Sequence, residues 1–179
     1  MLSASVGLGW TLRPARPEHA PAMQEVERVA AYMFPSELLP PALSGQVTPL
    51  ETLQAGVAAG CAWVCLDWEG RVLGFALCRE EAGCLHLAEM DVLPAVARRG
   101  IGRRLLALVQ HEARQRGLRA CTLTTFRSLP WNAPFYAGAG FRALEPRGDG
   151  VQGFPHLAEL LAQEAAQGLN DRVAMVFSL

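Results

Sequence analysis

The 179-residue sequence predicts an α/β fold. Three observations carry that expectation. Strand-like and helical patterns alternate along the chain. A strand-like run, Leu85–Val92, leads through Pro94 and a short basic turn, Arg98-Arg99-Gly100-Ile101-Gly102, into a helix reaching Arg116. A β-branched, apolar strand, Ala120–Phe126, follows that helix. Such a strand–helix–strand unit makes a parallel crossover. Half of the residues are apolar (51%) and 18% are charged, as in a chain that buries a core. The length suits a single domain spanning residues 1–179.

The remaining elements follow in order. Met1–Gly9 is weakly patterned and reads as a loose lead-in. Trp10–Arg13 is a short strand, and Pro14–Pro17 is a turn. Met23, Val26, Val29, Ala30 and Met33 recur at helical spacing and predict a helix over Glu18–Met33. Pro35, Pro40, Pro41, Gly45 and Pro49 break Phe34–Pro49 into loop. Thr48-Pro49 reads as an N-cap with proline in the first turn, opening a helix to about Ala59. Cys61–Trp68 and Arg71–Arg79 are strands joined at Glu69-Gly70. Gly83 precedes the strand Cys84–Val92. In the helix after the basic turn, Ile101, Leu105, Leu108, Val109 and Ala113 form one apolar stripe, and Gly117 ends it. A short helix through Tyr136 to Ala139 precedes Gly140 and a strand over Phe141–Leu144. Pro146–Gly153 is a polar loop. Leu157, Leu160, Leu161 and Ala165 mark a helix stopped at Gly168, and Arg172–Leu179 is a last strand.

Composition excludes several function classes. A net charge of −1 gives no reason to expect a nucleic-acid partner. The basic residues cluster locally instead, at Arg98, Arg99, Arg103, Arg104, Arg114, Arg116 and Arg119, which suits a phosphate-rich ligand. The five cysteines contain no CxxC pair and no histidine at zinc-ligand spacing. No metal is expected, and buried, reduced thiols are. The longest apolar run, Ala55–Leu66, is too short to span a bilayer, and no basic-then-apolar leader opens the chain. A cytoplasmic protein with no membrane partner is the expectation.

The basic turn carries the first chemical signal. The opening amides of a helix lack intrahelical partners, the helix dipole is positive there, and glycine lets a ligand approach the backbone. A mononucleotide-binding α/β domain would use such a turn too. It would leave the elements downstream, Phe135-Tyr136 and Gly140-Phe141, unexplained.

Strand, turn P-x-x-x-R-R-G-I-G, helix, strand and then Y-x-x-x-G-F resembles the GNAT N-acetyltransferases, a superfamily that uses acetyl-CoA. The resemblance covers the whole chain and is densest over residues 84–141, the expected acetyl-CoA-binding core. The string Leu123-Thr124-Thr125-Phe126 with Pro130-Trp131-Asn132-Ala133-Pro134-Phe135-Tyr136 looks like a bacterial subfamily of these enzymes. The resemblance implies a mixed, twisted sheet of about six to seven strands with helices on both faces. It also implies a central splay between Cys84–Val92 and Ala120–Phe126. The backbone of Met90, Asp91 and Val92 would pair with the pantetheine arm. The amides of Arg98, Arg99, Gly100, Ile101, Gly102 and Arg103 would hold the pyrophosphate. Two positions depart from the family pattern. Ala97 stands where the family has Arg or Gln, and Leu129 stands where it often has Asn. Asn132, four residues before Tyr136, is a candidate cofactor contact on its own account.

An amine must be neutral to attack a thioester, and the leaving thiolate needs a proton. Tyr136 matches the family's general-acid tyrosine; its alternative is a packed tyrosine with a satisfied hydroxyl. Glu89, on the strand beside the expected thioester, is the candidate base, directly or through water. Against that stands a structural or substrate-orienting carboxylate, and His86 and Asp91 are the alternative bases. Phe34, with Tyr32 and Met33, falls where the family builds its acceptor pocket. Trp131 is a candidate wall, and Phe154–Leu161 a candidate cover. No Cys or Ser stands in a nucleophile context with a histidine base nearby in sequence. The reading is an acetyl-CoA-dependent N-acetyltransferase acting on a small-molecule amine, as a monomer or homodimer. The alternatives are a peptide or protein acceptor and a non-catalytic CoA-binding domain.

Overall fold

The computed structural model describes residues 9–144 and 153–179. The lead-in before Gly9 and most of the loop expected over Pro146–Gly153 lie outside the described residues. In chain order the strands are β1 (Trp10–Pro14), β2 (Ala62–Asp67), β3 (Val72–Glu81), β4 (Cys84–Val92), β5 (Ala120–Phe126), β6 (Arg142–Ala143) and β7 (Arg172–Ser178). The helices are α1 (Ala20–Ala30), α2 (Leu50–Ala58), α3 (Ile101–Gln115), α4 (Ala133–Ala137) and α5 (Pro155–Ala166). The strands make a seven-stranded sheet in the order β1-β2-β3-β4-β5-β7-β6. The β4–β5 ladder is parallel, joined by α3 as the sequence predicts, while β1–β2, β2–β3, β5–β7 and β6–β7 are antiparallel.

The chain divides into two compact units. The first holds residues up to Phe34, Gly45–Arg79 and Glu89–Leu108; the second holds Pro35–Ser44, Glu80–Ala88 and the chain from Val109. In the first unit, α1 buries Ala20, Met23 and Val26, and α2 buries Leu53. They share a core with Ala62, Val64 and Leu66 of β2 and Val72, Phe75 and Leu77 of β3. Val72 and Phe75 lie an odd number of residues apart, so a regular strand would send them to opposite faces. A bulge resolves this: Cys65 pairs with Gly74 and Leu66 with Val72, leaving Leu73 as the extra residue. The helix expected over Glu18–Met33 is α1 flanked by single 3-10 turns at Pro17–His19 and Ala31–Met33.

In the second unit, neighbouring residues of β5 face opposite sides. Ala120 joins Cys84, Leu144, Phe154, Leu157, Ala174 and Val176 in a core that includes α5. Cys121 turns the other way, its thiol 4.0 Å from the Val109 carbonyl of α3. His86 of β4 is buried (1% exposed). Its Nδ1 lies 3.1 Å from Thr122 Oγ1, which lies 3.2 Å from Nε2 of His156 on α5. One hydroxyl carries one proton, so it donates to at most one of the two rings. The strand expected over Phe141–Leu144 is shorter, the two-residue edge β6.

All five cysteines are free and buried, none more than 3% exposed. Burial pushes the Cys65 and Cys121 thiols up to about 12. A thiol reagent added to native protein near neutral pH is therefore expected to titrate none of them within minutes, and all five after denaturation. A rapidly reacting thiol in the native protein would contradict this packing.

Candidate active site

In the first unit, β4 ends where the Leu93 amide donates to the Leu73 carbonyl at 2.9 Å. A single 3-10 turn, Pro94–Val96, follows. It stops when the Ala97 amide reaches back to Pro94 at 3.1 Å. Arg98 then adopts a left-handed backbone (φ 64°), and so does Gly100 (φ 82°). For Arg98, which carries a Cβ, that conformation costs about 1–2 kcal/mol. Left-handed residues interleaved with others are the backbone of an anion-binding nest. The first amide of the α3 ladder is that of Arg104, which donates to Gly100 at 3.0 Å. Among the described residues, the amides from Arg98 to Arg103 have no backbone acceptor. Nothing lies within 4 Å of the place a Cβ would take at Gly100, so the turn is open to a ligand. Ile101, Leu105 and Leu106 seat the helix behind it. Leu106 is buried where the stripe predicts Leu108, which is half-buried. Arg98, Arg99 and Arg103 are exposed. An open depression of about 320 Å³ adjoins the turn, walled by Trp10, Trp68, Arg71, Leu73, Val96 and Arg99 among others.

Glu89 and Asp91 lie two apart on β4 and so share a face of the strand. Burial pushes the Asp91 carboxyl well above the usual carboxylate range, and the nearby charges of Glu89 and Glu27 push it further. Glu27, on α1, is a site residue that sequence reasoning missed. Its Oε1 accepts from the Thr48 amide at 2.8 Å and the Thr48 hydroxyl at 3.0 Å. Gln24 Nε2 donates to the Thr48 carbonyl at 3.0 Å, so α1 grips Thr48 on both sides. Thr48, expected as the N-cap of α2, does not occupy that position. The residue in the cap position of α2 is Pro49, with no side-chain cap, because the Thr48 hydroxyl is committed to Glu27. Gly74 is the second missed position. A Cβ there would stand 2.8 Å from the Asp91 carbonyl oxygen and 3.1 Å from the Val92 side chain. Only glycine lets β3 come this close to the strand that carries both carboxylates.

The second unit holds Trp131, Asn132 and Tyr136. Asn132 Nδ2 donates to Thr125 Oγ1 at 2.7 Å. Its Oδ1 is inaccessible and without a hydrogen-bond partner among the described residues. The Tyr136 amide donates to the Asn132 carbonyl at 3.1 Å, and the Phe141 amide to the Tyr136 carbonyl at 3.1 Å. The Tyr136 ring stands edge-on to Phe135 and Phe141, with centroids 5.2 and 5.9 Å away. Trp131 is 44% exposed. Leu129, at the family's Asn position, is buried. The first unit thus brings together Glu89 and Asp91, with Met90 and Val92 on the same strand and the turn Arg98–Arg103 after it. Phe34, half-buried, closes the turn after α1.

The model of the acetyltransferase (GNAT) family matches residues 27–141, well over half of the chain. The chain belongs to the acetyltransferase (GNAT) family. It is an acyl-CoA-dependent N-acetyltransferase of that family. Solved GNAT structures share the fold. A PaiA N-acetyltransferase from Thermoplasma acidophilum in complex with coenzyme A superposes with a TM-score of 0.70 at 14% identity, over 95% of this chain and 99% of that one. A GNAT family acetyltransferase from Brucella melitensis in complex with acetyl-CoA is 26% identical, with a TM-score of 0.56, over 75% and 83%. N-acetylglutamate synthase from Neisseria gonorrhoeae, with coenzyme A and N-acetyl-glutamate, has a TM-score of 0.70 at 18% identity. The match takes in 95% of this chain and 35% of that larger one. Among the described residues no helix is long and apolar enough to cross a membrane.

The Asp91 environment predicts a pH-dependent stability. A carboxyl whose value is raised by folding contributes stability below its ordinary range and loses it as pH rises through the raised value. A tenfold difference in proton affinity between the folded and unfolded chain is worth about 1.4 kcal/mol. Asp91→Asn removes that loss. The variant is expected to melt above the parent at neutral and alkaline pH, the gap closing toward acid. An equal gap at all pH values in thermal melts would contradict a raised Asp91.

Proposed function

We propose that this GNAT enzyme moves the acetyl group of acetyl-CoA directly to a primary amine of a small molecule. The observation that carries the reading is the run of amides from Arg98 to Arg103 without backbone acceptors, opened by two left-handed residues at the start of α3. Such a turn offers several N–H donors and a positive dipole to a pyrophosphate. Ala97 contributes no side chain to that grip, and backbone donors do not need one. Two further features fit coenzyme A. The parallel β4–β5 ladder ends at His86–Thr122 although both strands run on. That supports pairing of the pantetheine arm with the backbone of Met90, Asp91 and Val92. The unpartnered Oδ1 of Asn132 is an acceptor suited to an amide N–H of the same arm.

Acetyl-CoA supplies the activated acyl carbon. Glu89 takes a proton from the amine as its nitrogen bonds to that carbon, directly or through water. The carbon–sulfur bond breaks, and Tyr136 protonates the leaving sulfur. No acyl-enzyme forms. Phe34 and Trp131 are proposed as acceptor contacts. A small-molecule acceptor is supported by the neighbour that holds N-acetyl-glutamate. Five free, buried cysteines support a reducing, cytoplasmic setting.

Thiol release from acetyl-CoA, measured against polyamines, amino acids, amino sugars and short peptides, tests the reading. At least one small amine is expected to turn over. Glu89→Gln and Tyr136→Phe are each expected to lower kcat by about 100-fold or more. Coenzyme A binding with no amine acetylated, or full activity in both variants, would contradict it. Gly100→Val places a β-branched residue in the left-handed region. It is expected to weaken coenzyme A binding by calorimetry about tenfold, and unchanged affinity would remove the turn from the cofactor site.

A further inference from the structure

Glu164 on α5 and Arg172 at the start of β7 form an ion pair within the second unit. Glu164 is 8% exposed. Its Oε1 accepts from Arg172 at 2.9 Å and from the Thr124 hydroxyl of β5 at 2.8 Å. The same Arg172 nitrogen reaches the Thr124 carbonyl and hydroxyl oxygens, each at 3.2 Å. The guanidinium lies over the Phe126 ring, 4.7 Å from its centroid. Arginine and a carboxylate commonly pair as a fork, two nitrogens to two oxygens. Here the pairing runs through one nitrogen and one oxygen. Glu164 Oε2 and Arg172 Nε are inaccessible and have no hydrogen-bond partner among the described residues. Buried polar groups are ordinarily satisfied, and this pair withholds one acceptor and one donor.

The place of the pair on β5 suits an acceptor. Thr124 and Thr125 are neighbours and face opposite sides of the strand. Thr125 holds Asn132, the proposed pantetheine contact, on one side; Thr124 holds Glu164 on the other. Both lie beyond Thr122, where the parallel ladder with β4 ends. A cofactor arm on one face leaves the opposite face to the amine. The proline-rich segment reaches the same end of α5. A Cβ on Gly168 would stand 3.0 Å from Pro40, and the Leu169 amide closes the helix on the Glu164 carbonyl at 2.9 Å. We propose that Glu164 and Arg172 are the acceptor subsite, and that the acceptor is an α-amino acid. Glu164 Oε2 accepts from an N–H of the reacting amine, and Arg172 Nε donates to the carboxylate of the same molecule. An α-amino acid carries its donor and its acceptor on one short backbone, the spacing that a single ion pair matches. A polyamine would meet Glu164 and leave Arg172 Nε unmet.

The inference rests on acetyl transfer to a small amine for its reaction, while its binding is tested without turnover. In 15N-labelled protein saturated with coenzyme A, the Arg172 Nε–H resonance, assigned from Arg172→Lys, is followed as the proteinogenic amino acids are added one at a time. At least one is expected to shift it saturably. The carboxamide of that amino acid keeps the amine and loses the carboxylate, and is expected to leave it unmoved. A resonance that no amino acid moves, or that the carboxamide moves equally, overturns the proposal. In thiol release with that amino acid, Glu164→Gln and Arg172→Lys are each expected to raise KM about tenfold or more, with kcat changed less than about threefold. A loss confined to kcat, or kinetics unchanged in both variants, overturns it. If a variant fails to fold, the parent decides: KM for the carboxamide is expected to exceed that for the acid by about tenfold or more, and equal values overturn the proposal. An amino acid that shifts Arg172 and is never acetylated supports the subsite and contradicts the acetyl-transfer reading. A polyamine that is acetylated, with no amino acid bound, overturns the subsite and leaves acetyl transfer standing.

Discussion

Backbone N–H groups without acceptors are the constraint on which the site depends. A helix cannot satisfy its own first amides, and here the problem is enlarged rather than solved. Ala97 closes the preceding turn on Pro94, and Arg104 begins the helical ladder on Gly100. Everything between them is left to a ligand or to water. Keeping it so requires an arginine in a left-handed backbone at position 98 and an apolar stripe of Ile101, Leu105 and Leu106 to hold the helix in place. Strain of this kind persists where the surrounding structure over-determines it, and it gathers at functional sites.

The strand before the turn carries the opposite electrical character. Asp91, Glu89 and, from α1, Glu27 are acidic groups in partly or wholly dry surroundings. Within the first unit, one stretch of chain therefore passes from a pair of carboxyl groups to amides suited to phosphate. Transfer of an acyl group to an amine calls for both: an anchor for an anionic carrier and a base for a cationic nucleophile. Gly74 makes the first part possible, because β3 can lie against the Asp91 carbonyl only without a side chain.

Much of this was legible in the sequence, and for identifiable reasons. The turn is local: proline, arginines and two glycines within a few residues specify a strand end, a left-handed backbone and a helix start. The element order is likewise local, since helical and strand periods differ. The misses share one cause. Thr48 has the residue type and neighbour of an N-cap, but a glutamate two turns into a distant helix competes for its hydroxyl. Glu27 reads as one polar position on an amphipathic helix, and only the fold brings it near Asp91. Leu106 replaces Leu108 in the core because burial follows the packing neighbours as well as the period. The bulge at Leu73 leaves no composition signal, although Val72 and Phe75, both apolar and three residues apart, register it once the strand is assigned.

Amide resonances report on the turn more directly than activity does. In a 15N-labelled sample titrated with coenzyme A, saturable chemical-shift changes are expected, largest for the amides from Arg98 to Arg103. The same titration with pantetheine, which lacks the pyrophosphate, is expected to leave those amides nearly unmoved. Large changes elsewhere with the turn silent toward coenzyme A would contradict a pyrophosphate site at the start of α3.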